Sequence, residues 1–411
     1  MSTTNYFERS VVQTKQFVRR YGLGLLFAAN VFGAGSVYIL SEAGSGFGFA
    51  LLWVLPLALL AGLAMHEMSA RLAAADRPLM VFIRDRIGET AAKPFAVFVA
   101  FIMHFWSVAN YALAGAAFVY LTPLSNLYIG TIVVAALGLG LVELRLYDRI
   151  EGVISALVLA IFGSYLVIIL GLDFPVGKVA GGFVPSLVSE VGYLTMVIAL
   201  LGTTVYYPNF FIQTSMSGTK DWDVVSRYRR DHTLGLVAVI ALSMAVMAVA
   251  ALTVPSGELT LTDPGEPLAS AIGPWALDVF VIAAGAASFT SATGTLFGAG
   301  FMLPQAYGHE TRFGDYRFRR VVNVLIVLSV LLALALLAFT GFTPVTLAIT
   351  MPAINGVIGL PITAVALYAA VTRYFDPSRL ERAAFLAVVL VLFVGAALTA
   401  QDLAGTIAGY L

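Results

Sequence analysis

The amino-acid sequence predicts an all-α polytopic membrane protein, and three observations carry that prediction. The chain of 411 residues is 60% hydrophobic and only 11% charged, with a mean hydropathy of +0.93. Apolar runs of about 20 residues, each long enough to cross a hydrocarbon core, recur along its length. The basic residues fall almost wholly on alternate connections between those runs. The runs are continuous rather than alternating, which excludes a membrane β-barrel. The sequence holds no cysteine, so disulfides and thiolate metal ligands are excluded. A net charge of zero leaves nothing to attract nucleic acid.

Eleven spans are expected, near residues 21–43, 48–73, 93–121, 127–145, 151–171, 188–215, 232–254, 274–306, 321–341, 344–372 and 384–409. Residues 1–20 are polar and basic and read as a cytoplasmic tail without a signal peptide. Of the 23 basic residues, only Lys178 falls in an odd-numbered connection, which places the N-terminus inside and the C-terminus outside a cell or inner membrane. The seventh connection, with Glu258, Asp263 and Glu266 and no basic residue, reads as an outside loop.

Two spans are not written as uniform helices. In span one, Gly33, Ala34, Gly35 and Ser36 interrupt an apolar run at mid-depth, where glycine costs about 1 kcal/mol against alanine. In span six, Pro208 sits in the middle of LLGTTVYYPNFFIQTS and removes a backbone donor. Irregular backbone survives in a bilayer only where protein or a watery cavity satisfies it. Spans one and six are five apart and cross in opposite directions. Broken segments in corresponding positions of two inverted halves point to a transporter site at the midplane. Residues 21–373 then form a core of two repeats, about 21–171 and 188–373, and 374–411 an additional eleventh helix. The plain alternative for each break is a kinked or closely packed helix.

Four stretches resemble the NRAMP family of proton-coupled divalent metal transporters. They are AGSGFGFALLWVLPLALLAGLAMHEMSARL (Ala43 to Leu72), LGTTVYYPNFFIQTS (Leu201 to Ser215), ASFTSATGTLFGAGFMLP (Ala287 to Pro304) and INGVIGLPITAVAL (Ile354 to Leu367). The resemblance implies a LeuT-like fold of five plus five inverted helices with helices 1 and 6 broken. It also implies a metal site, but that site's chemistry does not carry over. The family's Asp-Pro-Gly-Asn falls on Gly33, Ala34, Gly35 and Ser36, and its Met-Pro-His on Tyr206, Tyr207 and Pro208. The third-helix carboxylates fall near Ala109 and Ala112, and the tenth-helix glutamine near Ala353, with Asn355 close by. Asn209, Phe210, Phe211 and Gln213 match the family's continuation. PNFFIQTS is also similar to the NRAMP-related magnesium transporter branch.

Substrate-binding residues are therefore expected at Gly33, Ala34, Gly35, Ser36, Thr203, Tyr206, Tyr207, Asn209 and Asn355. Without a carboxylate or thioether the lining does not suit Mn²⁺ or Fe²⁺. Its hydroxyls and amides suit a hydrated divalent cation such as Mg²⁺, which dehydrates reluctantly. Bare N–H groups at a glycine-rich half-helix start suit a carboxylate, so a small organic acid or amino acid is the alternative substrate. A channel-like or uncoupled facilitator is the second alternative. His104, near the middle of span three, and Glu67 are the candidates for a proton pathway. A structural hydrogen bond and an ion pair with Arg71 are their plain alternatives. No enzymatic motif and no cofactor motif is present; the expected partners are the solute or ion and the lipid bilayer, and the expected state is a monomer.

Overall fold

The computed structural model describes residues 34–145, 164–186, 192–216 and 225–411. Among these residues regular structure is helical throughout, with no strand. Residues 1–33, 146–163, 187–191 and 217–224 lie outside the description. With them lie the predicted N-terminal tail, the first part of span one with Gly33, and most of span five.

The described part of span one is α1 (Ala34–Phe47). Gly48 follows at φ +58°, a left-handed conformation that glycine adopts without a Cβ clash. The chain turns there before α2 (Val54–Ala74). A short α3 (Leu79–Ile87) lies among the Arg-rich residues of the second connection, and Gly88 separates it from the long α4 (Glu89–Leu121). Next come α5 (Leu127–Glu143), capped by the Asn126 side chain on Ile129 N, and a short α6 (Val176–Gly182).

Span six is two helices, α7 (Tyr193–Thr204) and α8 (Pro208–Ser215), and the break falls where Pro208 predicts it. Val205 leaves the helix at φ −95°, ψ 71°. Pro208 then begins α8 at a first-turn position, where its missing N–H costs nothing. The remaining helices are α9 (Val225–Thr253), α10 (Glu266–Ile272), α11 (Trp275–Ala306), α12 (Tyr316–Phe339), α13 (Pro344–Ile354), α14 (Leu360–Tyr374) and α15 (Arg379–Tyr410). Seven helical segments among the described residues, with the interrupted Tyr193–Ser215 and Pro344–Tyr374 each taken as one, are long and apolar enough to cross a membrane. Most predicted span ends hold to within five residues where they are described; the second span begins later, at Val54, and the seventh is already helical at Val225.

Span ten departs from the expected single helix. Between α13 and α14, Asn355–Gly359 form a π-helical turn. Such turns widen the helix at one point and concentrate at functional sites.

Helix packing follows the membrane rule of small residues at contacts and polar side chains as bridges. α4 and α11 are joined by a ladder: Trp106 Nε1 to Ser291 Oγ (2.9 Å), Ser107 Oγ to Ala292 O (2.7 Å), and the Tyr111 and Thr293 hydroxyls (3.0 Å). α7 meets the π-turn through two glycines; a Cβ on Gly202 would lie 2.8 Å from Gly356 Cα. α15 is tied to the start of α7 by Asp402, whose Oδ2 accepts from Thr195 N (3.1 Å) and Thr195 Oγ1 (2.5 Å).

Candidate functional site

Spans one and six meet. Ser36 of α1 and Thr203, in the last turn of α7, share a hydroxyl–hydroxyl hydrogen bond of 2.7 Å. Both side chains are buried. In an unbroken helix the Thr204 carbonyl would accept from residue 208, where proline offers no N–H. The break in span six therefore frees a backbone acceptor next to the Ser36–Thr203 contact, for a local reason readable in the chain.

Tyr206 and Tyr207 form the linker between α7 and α8, and they point to different tasks. The Tyr206 hydroxyl is hydrogen-bonded to Thr295 Oγ1, which in turn donates to Ser291 O at 2.6 Å. Its ring lies 4.9 Å from that of Trp106. Tyr206 thus locks the break to the α4–α11 ladder. Tyr207 lies against the π-turn, close enough that a Cβ on Gly359 would overlap its ring. Its hydroxyl is buried and has no partner.

Tyr207 is one of several such groups. Asn209, fully buried in the first turn of α8, has neither amide atom bonded. Asn355 donates to Met351 O (3.1 Å), but its Oδ1 has no partner. The same holds for Asn110, which donates to Trp106 O (2.9 Å) and leaves Oδ1 alone, and for the Ser288 hydroxyl on α11. Buried polar atoms are ordinarily paired, and each exception needs an explanation. Here they come from α4, α8, α11, the π-turn and the span-six linker. These five side chains are neutral, amides and hydroxyls that donate or accept without charge; a charged group, Glu42 Oε2 of α1, is also buried without a partner.

Of the expected binding residues, the structure joins Ser36 and Thr203 directly and places Tyr206, Tyr207 and Asn209 consecutively around the break. Asn355 lies on the π-turn that carries Gly359 against Tyr207. Ala34 and Gly35 are the opening residues of α1, and Gly33 lies outside the description. Asn110 and Ser288 were not foreseen. Their signal was present: an asparagine between Ala109 and Ala112, where two carboxylates were sought, and a serine in an apolar helix.

The two proton-pathway candidates lie elsewhere. His104 Nδ1 bonds to Phe101 O of its own helix, and its carbonyl receives Ser329 Oγ of α12 at 3.4 Å. Glu67 is held by Arg71 (2.9 Å) and by both Nε and Nη2 of Arg229 (2.7 Å each), and Arg71 also reaches Glu381. This is an ion-pair network among α2, α9 and α15. Among the described residues no three of His, Cys, Asp and Glu come together as a metal-binding group.

Comparison with known proteins agrees with this architecture. The family model described as "Natural resistance-associated macrophage protein-like" matches residues 24–401. The chain is 28% identical over 273 residues to a protein of Deinococcus radiodurans named "Divalent metal cation transporter MntH", covering 62% of each chain. It is 30% identical over 300 residues to the protein of that name from Chromohalobacter salexigens, covering 68% of each. The fold is similar to a crystal structure of the Eremococcus coleocola manganese transporter, with a TM-score of 0.75 at 16% identity, over 95% of this chain and 87% of that one. A proline-broken span six and a family match over residues 24–401 lead to one conclusion: the chain belongs to the Nramp family.

Proposed function

We propose that this protein is a membrane carrier that moves a hydrated divalent cation such as Mg²⁺ by alternating access, between the breaks of spans one and six. The observation that carries the reading is the set of buried, unpartnered, neutral oxygens at the break and on the helices tied to it: Tyr207 Oη, Asn209 Oδ1, Asn355 Oδ1, Asn110 Oδ1 and Ser288 Oγ. A small, hard cation that keeps its waters is recognised through such acceptors, with water between ion and protein. A bare transition-metal ion would want a carboxylate or a soft sulfur donor, and neither stands at the family's ligand positions here. The relatives named as divalent metal transporters support the cation class.

A second reading rests on the sequence of span one together with the aromatic pair. Gly33-Ala34-Gly35-Ser36 is glycine-rich, Ser36 is bonded to Thr203, and the Trp106 and Tyr206 rings lie 4.9 Å apart. A helix broken at those glycines would hold a small organic carboxylate on its free amides against aromatic rings. A thermal-shift screen of the purified protein separates the two. The first reading expects stabilisation by millimolar Mg²⁺; stabilisation by carboxylates or amino acids and by no cation overturns it.

A further inference from the structure

The half of span six beyond the site is wired to a pair of histidines. His66 on α2 and His232 on α9 are both buried, and their rings stack 4.9 Å apart at 22°. Phe210 of α8 meets the edge of His66 at 5.0 Å. Gln213, one turn after Asn209 on α8, bridges the two flanking helices. Ser69 Oγ of α2 donates to its Oε1 at 2.8 Å, and its Nε2 is bonded to His232 Nε2. Both imidazoles have further contacts.

The bond directions in this relay follow from the orientation of the Gln213 amide. The Ser69 hydroxyl donates to Oε1, so the side of Gln213 facing His232 is its NH₂ group. His232 Nε2 must then accept, and a neutral His232 carries its proton on Nδ1. Adding a proton at Nε2 sets two donors against each other. A half-turn of the Gln213 amide removes the conflict: Oε1 accepts from His232 Nε2–H, and the NH₂ donates to Ser69 Oγ. The serine's own hydrogen then reaches the carbonyl one turn back, as helical serines commonly do. Both states keep their hydrogen bonds, but the direction of the chain is reversed.

We propose that Ser69–Gln213–His232, with His66 stacked on it, is a proton-binding switch that sets how α8 seats against α2 and α9. The stacked pair takes one proton at a time, because two cationic rings face to face at this separation repel and their titrations are coupled. The charges around it are balanced by one another. Glu67 and Arg71 of α2, Arg229 of α9 and Glu381 of α15 form the ion-pair network one step away. Tyr228 of α9 stacks 6.5 Å from His232 and lies within electrostatic range of Asp76. Arg230 follows on α9, and Arg373, Arg379 and Arg382 stand at the same end on α14 and α15. α3, packed on α8, brings Arg84, Asp85 and Arg86. α7 and α8 contribute no charged residue. A proton arriving on His232 therefore acts on Gln213, the polar group of α8 that is bonded to His232. One turn away, Asn209 stands at the break.

The switch does not depend on which solute is carried, and its test uses none. Full-length ¹⁵N-labelled protein in lipid nanodiscs is titrated by NMR, reading the histidine ring nitrogens and the Gln213 side-chain amide. His309→Asn and His104→Asn identify those two rings; Gln213→Glu identifies the amide signal and the ring beside it. The expected result is the Nδ1–H tautomer for His232 at high pH and uptake of a single proton by the pair. The Gln213 amide should shift with the same midpoint. An Nε2–H tautomer at high pH, or a Gln213 amide indifferent to pH while His232 titrates, overturns the proposal. So does a His232 that stays neutral across pH 4 to 9.

Discussion

The Ser36 and Thr203 hydroxyls meet at 2.7 Å and join α1 to the end of α7. The family resemblance aligns Ser36 with a metal-binding asparagine; in this structure its hydroxyl bonds another hydroxyl. Ser36→Ala removes one partner and leaves a buried threonine hydroxyl to find another. A loss of about 1 kcal/mol is expected, typical of a single neutral hydrogen bond, and thermal unfolding in detergent reads it. Ser36→Asp restores a carboxylate at the break. It should create Mn²⁺ or Ca²⁺ binding by isothermal titration calorimetry; no binding would mean that this position does not face the ion.

Asn209 supports a different kind of prediction. A buried amide with neither atom paired is destabilising by about 1–3 kcal/mol per unmade bond. Asn209→Leu should leave the melting temperature unchanged or raise it, and lower solute uptake into proteoliposomes at least tenfold. A protein that melts lower and still transports would show Asn209 to be an ordinary packing residue.

The contact of α7 and Tyr207 with the π-turn depends on absent side chains. A Cβ on Gly202 would meet backbone, with Gly356 Cα at 2.8 Å and Pro352 O at 3.0 Å; one on Gly359 would meet the Tyr207 ring. Gly202→Ala should cost more than Gly359→Ala, since backbone cannot step aside and a ring can shift. Overpacking of this kind typically costs about 1–3 kcal/mol. Comparison of the two unfolding midpoints checks the order.

Asp402 caps the start of α7 from another helix. Asp402→Ala should destabilise by about 0.5–2 kcal/mol, the usual cost of losing a capping acceptor. Asp402→Asn, which keeps an oxygen for Thr195 N, should recover part of it. Equal losses for both variants would show that the charge, acting on the helix dipole, dominates over the hydrogen bond.

Much of this was legible in the chain. Apolar runs placed the spans, and Pro208 placed the break between α7 and α8 to the residue. The neutral character of the lining followed from the identities of Ser36, Thr203, Tyr207 and Asn209. What escaped depended on long-range pairing. Asn355–Gly359 reads as ordinary helix because nothing local in NGVIG forces a π-turn; it forms beside Gly202 and Tyr207, about 150 residues earlier in the chain. His232 looked like the start of a span, since RYRRDH is polar. The polar residues from Val225 on are already helical, and Arg229 pairs with Glu67, which draws His232 inward onto His66. Glu67 drew notice as an ionisable group at membrane depth, and its partner Arg71 one turn away was the better guide to its place.

The central claim concerns which cation the break can hold. Purified protein in proteoliposomes, offered Mg²⁺ and Mn²⁺ at equal concentration with the flux of each measured, tests it most directly. The account predicts Mg²⁺ uptake that Mn²⁺ does not outcompete. Uptake of Mn²⁺ favoured tenfold or more over Mg²⁺ would contradict it.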